Sequence, residues 1–72
     1  MEKLNVMIQV QEDKLAYLEN LADELVKEIQ ALNTPYDMMT FAPSKLERLK
    51  DVQKDAASTY ETIKMLKSLR EG

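Results

Sequence analysis

The chain reads as all-α: an antiparallel helical hairpin with a short helical insert at its connection, expected to complete a four-helix bundle by oligomerisation or with a partner. Three features carry that expectation. Apolar residues recur at helical spacing through two long segments, both prolines (Pro35 and Pro43) fall between those segments, and the single glycine, Gly72, lies beyond them. The expected organisation is one helical-hairpin domain over residues 1–72, with a long helix at about 2–33, a short insert at 35–41 and a second long helix at about 44–71.

The first segment carries the more regular ladder: Leu4, Ile8, Gln11, Leu15, Leu18, Ala22, Leu25, Ile29 and Leu32, stepping by four and three in alternation. Such a seam predicts a long helix packed in coiled-coil fashion. Gln11 is its one polar rung, read either as a selector of register or as a tolerated position near a frayed end. Ala22 is a place where helices can approach closely. One alternative competes over the first ten residues, where Leu4, Val6, Ile8 and Val10 alternate with Asn5, Met7 and Gln9 in the period of a half-buried strand. Helix is the preferred expectation, because the ladder passes through these residues in register with no glycine or proline to break it.

Helix 1 is expected to stop at Asn33. Thr34, Pro35 and Asp37 then supply an N-cap, a first-turn proline and an acid at the positive end of the helix dipole. Pro43 disfavours helical geometry at Ala42 and so limits the insert to about two turns. Ser44 and Glu47 have the Ser-x-x-Glu spacing of a capping box, which predicts a fresh start. Tyr36, Met38, Met39 and Phe41 make this connection more apolar than a turn requires. They are expected either to fold over the closed end as a plug near Leu32 and Leu46 or to form a binding surface, a use that suits adaptable methionine.

The last helix is expected to present Leu46, Leu49, Val52, Ala56, Tyr60, Ile63 and Leu66 on one face. The predicted core is Leu15, Leu18, Leu25, Ile29, Leu49, Val52, Ala56, Tyr60 and Ile63. Leu21 and Val26 widen the apolar arc of helix 1 beyond what one opposing helix covers. Further from the seam, Val6, Val10 and Tyr17 on the first helix and Met65 and Leu69 on the last lie toward the same open end of an antiparallel hairpin. Their coincidence predicts a second contact surface, for a symmetric copy or a different protein.

Charge and composition narrow the chemistry. Ten bases against 13 acids give a net charge of −3, with residues 1–33 at −4 (three lysines, seven acids), Asp37 at −1 and residues 44–72 at +2 (seven bases, five acids). The opposite signs favour two helices lying side by side. No basic stripe follows a phosphate backbone, since Lys50, Lys54 and Lys64 are interrupted by Glu47, Asp51 and Glu61, so no nucleic-acid partner is expected. Absent cysteine and histidine exclude disulfides, thiolate sites and imidazole catalysis, and no cofactor or metal is expected. Glu12–Asp13 and Asp23–Glu24 lack the histidine partners of helical di-metal sites, Ser58, Thr59 and Thr62 lack an activating base, and no catalytic residue is assigned. Lys64, Lys67 and Arg70 complement the C-terminal dipole, with an anion contact as their second use.

A 72-residue core without disulfides or metal rarely supplies more than about 3–5 kcal/mol, which leaves association as the remaining support. The expected function is a non-enzymatic protein–protein interaction module, acting as an adaptor, co-chaperone or inhibitor through a homo-oligomer or a helical protein partner. The alternative is an oligomer that sequesters a small anionic ligand at a subunit interface, lined by Lys64, Lys67 or Arg70. In length and helix order the chain is similar to the small hairpin co-chaperones of type III secretion needle subunits, a similarity that extends to no motif. With no apolar run of membrane length and no secretory-type segment in MEKLNVMIQVQED, a cytoplasmic location is expected and no membrane partner.

Overall fold

The computed structural model describes residues 2–72, which form two helices and no strand. α1 spans Glu2–Gln30 and α2 spans Pro35–Glu71, and they pack against each other as an antiparallel hairpin. The first ten described residues are therefore helical. Every rung of the α1 ladder is turned inward: Ile8, Leu18 and Leu25 are buried, and Leu4, Gln11, Leu15, Ala22, Ile29 and Leu32 are half-buried. α1 closes slightly before the expected Asn33. The Ala31 N–H still donates to the Lys27 carbonyl at 3.0 Å, and the chain then tightens, with the Leu32 N–H on the Ile29 carbonyl at 3.2 Å.

The start of α2 follows the expected chemistry. Thr34 is the N-cap, in extended geometry (φ −110°, ψ 152°), and its hydroxyl accepts from the Asp37 N–H at 3.1 Å. Pro35 occupies the first turn, where its missing N–H has no intrahelical partner to lose. The expected break eight residues further on does not occur. α2 continues through Pro43 as one helix of 37 residues, so there is no separate insert at 35–41 and no new start at 44.

The physical reason lies in where Pro43 points. Pro43 and Met39 are both exposed, so the Met39 carbonyl that proline leaves unpaired faces water instead of the core. Ser44 makes no cap. Its hydroxyl donates back to the Phe41 carbonyl at 3.3 Å, the pattern of a serine inside a helix.

The buried face of α2 also differs from the expected one. Its rungs are Ala42, Lys45, Leu49, Val52, Ala56, Thr59, Ile63 and Leu66, in unbroken steps of three and four that match the α1 ladder. Thr59 is only 4% exposed, whereas Tyr60 is 57% and Leu46 52% exposed, so two residues of the expected stripe are rotated out of the core. Each directly follows a rung, Lys45 or Thr59, and is turned about 100° from it. The matched period wins over hydrophobicity, and it brings the small side chains of Ala42, Ala56 and Thr59 inside. No buried side-chain polar atom among the described residues lacks a hydrogen-bond partner.

Helix lengths explain the closed end. At about 1.5 Å per residue, 29 and 37 residues make rods of about 44 and 55 Å, and the whole molecule measures 54 Å along its axis. α1 thus fits within the span of α2. The first turns of α2 stand beyond the end of α1 with no opposing helix, and Tyr36 (73% exposed) and Met39 (80%) lie open there with Met38 and Phe41. They do not plug the seam.

Candidate functional site

The buried rungs divide the surface of the hairpin into two flanks. Met7, Lys14, Leu21 and Glu28 each directly precede a rung of α1 (Ile8, Leu15, Ala22 and Ile29). Arg48, Asp55 and Thr62 precede rungs of α2, and Leu69 continues their row. These rows share one flank, because the Lys45 ammonium bonds the Glu28 carboxylate at 2.8 Å and Arg48 acts on the same carboxylate. Residues that follow the rungs form the other flank: Glu12, Glu19 and Val26 on α1, and Leu46, Tyr60 and Lys67 on α2. Lys67 and Glu12 fix that side by pairing across it at 3.5 Å.

On the Glu28 flank the open half is mostly apolar, interrupted by Lys14 and Thr62. Val10 and Tyr17 lie three residues beyond Met7 and Lys14, Met65 lies four before Leu69, and Val6 borders them. Val6, Met7, Val10, Tyr17, Met65 and Leu69 are all 49–68% exposed. The structure thereby brings Val6, Val10, Tyr17, Met65 and Leu69 to one face at the open end. It adds Met7, which the period-2 pattern had disguised as a strand's polar partner. It does not bring Tyr36, Met38, Met39 and Phe41 to that face, since these crown the opposite end.

The closed half of the same flank is charged, with Glu24, Glu28, Arg48, Asp51 and Asp55. The Glu28 carboxyl is held below the usual carboxylate range, first by the hydrogen bond from Lys45, then by the charge of Lys45, against a small opposing effect of burial and with help from Arg48. A depressed folded-state pKa means that the pair contributes above the unfolded carboxylate range and is lost as pH falls through the folded value. The pair is open to water, so its effect is small. Carboxylate NMR titration should find Glu28 protonating at lower pH in the wild type than in Lys45→Ala; equal midpoints would contradict the pairing.

On the other flank a shallow groove of about 250 Å³ is lined by Glu12, Leu15, Ala16, Glu19, Tyr60, Ile63 and Lys67. Lys64, Lys67 and Arg70 lie on this side of α2 or at its edge. Lys67 meets Glu12, and Arg70 donates to the Asn5 side-chain carbonyl at 3.4 Å. Two carboxylates in the groove weigh against an anion there. Among the described residues no group of three His, Cys, Asp or Glu side chains could hold a metal ion, and no helix is long and apolar enough to cross a membrane.

Comparison of the chain with family models, curated proteins and solved structures found no match.

Proposed function

We propose that this protein is a non-enzymatic interaction module that works by helix-to-helix association, covering its open-end face with a further pair of helices to complete a four-helix bundle. One observation carries the reading. Six large apolar side chains on two helices share one face of a hairpin in which Ile8, Leu18, Leu25 and Ile63 are the buried apolar residues among those described. A face of that size left in water is costly at about 25 cal/mol per Å² of apolar area, and contiguous apolar patches on soluble proteins mark contact sites. An adaptor, co-chaperone or inhibitor acting in the cytoplasm is the kind of role such a surface serves.

Light scattering over a dilution series tests the association. A mass of at least two chains, above the 8.3 kDa of one, is expected at high concentration, falling as the sample is diluted. A mass fixed at one chain throughout, with no helical protein able to raise it, would remove the basis of the reading.

A further inference from the structure

We propose that the first turns of α2 are a conformational switch hinged at Pro43, with the helix starting either at Thr34, as in this structure, or at Ser44. The switch lies at the closed end of the hairpin and does not depend on the association at the open end.

Two start signals stand on one helix. Thr34, Pro35 and Asp37 make the first, which is in use: the Thr34 hydroxyl accepts from the Asp37 N–H. Ser44 and Glu47 make the second, which is idle. Little holds the stretch between them. Of residues 35–43 only Asp37 and Ala42 are half-buried, and the rest are exposed. The bond from Lys45 to Glu28 places Pro43 about level with Gln30, the last residue of α1. Pro43 thus sits at the rim where α2 leaves its partner helix. Beyond that rim residues 35–42 make about two turns, and helices below about 12–15 residues are marginal in water without packing.

The link across the rim is weak as well. Pro43 has no N–H to give the Met39 carbonyl, so the hydrogen-bond ladder lacks a rung where the unsupported turns join the supported ones. Restarting at Ser44 gives up the helical bonds of residues 35–42 but recovers partners for two of the N–H groups it frees. The Ser44 hydroxyl accepts from the Glu47 N–H, and the Glu47 carboxylate accepts from the Ser44 N–H. That hydroxyl is readily released, since its present bond to the Phe41 carbonyl, at 3.3 Å, is long for an O–H donor. Sparse burial and a missing rung on one side, with a ready cap on the other, bring the two starts close in free energy. The long helix holds Tyr36, Met38, Met39 and Phe41 out as a structured apolar crown. The short one returns them to a connection spanning residues 31–43.

Amide exchange with solvent, followed by NMR on the full chain, separates this switch from ordinary fraying, which unwinds residue by residue from Thr34. The amides of residues 38–42 are expected to exchange together, at least about tenfold faster than those of residues 49–56. Pro43→Ala restores the missing donor and should slow the 38–42 amides at least about tenfold. Ser44→Ala removes the second cap and should slow them too, whereas Ser44→Asn, which caps about as well, should leave them fast. Rates graded outward to Thr34 and unmoved by Pro43→Ala would overturn the hinge. Slowing by Pro43→Ala, with Ser44→Ala and Ser44→Asn behaving alike, would overturn Ser44 as the second start.

Discussion

Leu25→Asp is expected to unfold the chain. Leu25 is 2% exposed, the most buried side chain of the hairpin, and lies in the α1 ladder between Ala22 and Ile29. Replacing it removes a buried leucine, worth about 2–5 kcal/mol when truncated, and sets a carboxylate among apolar neighbours with no cation in the seam beside it. That loss matches or exceeds the roughly 3–5 kcal/mol that a domain of this size commands from its core. Circular dichroism should show helicity collapsing at room temperature, with urea restoring no transition. Helicity and mass equal to wild type would show that the two ladders do not form the core.

Val10→Glu combined with Met65→Glu is expected to do the opposite: keep the fold and lose the assembly. Both positions are open in the hairpin, Val10 at 56% and Met65 at 68%, so neither substitution buries charge within one chain. In an assembly the new carboxylates desolvate the centre of the face and repel their counterparts across it. An association at least about tenfold weaker, about 1.4 kcal/mol, is the minimum expected, with far-ultraviolet circular dichroism unchanged in monomeric samples. Undiminished association would move the contact to another surface, such as the crown of Tyr36, Met38, Met39 and Phe41.

α1 was legible in the sequence rung by rung because its ladder is written almost wholly in leucine, isoleucine and alanine at one unbroken period. α2 was not, and the errors share a cause. Leu46 and Tyr60 are more apolar than Lys45 and Thr59, so a search for apolar residues selects the wrong neighbour twice. The lysine half-buries its stem while its ammonium reaches Glu28, and the threonine is small enough to be covered to 4% exposure.

Pro43 misled for a related reason. Its cost depends on whether the carbonyl it orphans is wet or dry, and that depends on which side of the helix it occupies. The sequence spacing alone, with Pro43 one residue from the rung Ala42, does not announce it. The Ser44–Glu47 pattern carried a start signal that the chain leaves unused.

For the surface, Val6, Val10, Tyr17, Met65 and Leu69 were visible from helical phase. Met7 joined them only once residues 2–10 were known to be helical. The uneven helix lengths decided the fate of Tyr36 and Met39, and those lengths depended in turn on Pro43.

As an interaction module of the kind proposed, one hairpin is an incomplete fold whose stability grows when its open-end face is covered. Thermal melting followed by circular dichroism from micromolar to millimolar chain concentration tests it most directly, since binding to the folded state raises apparent stability by mass action. Association predicts a melting temperature that climbs with concentration. A sharp, cooperative melt at the same temperature across the whole range, from a chain of 8.3 kDa, would contradict it.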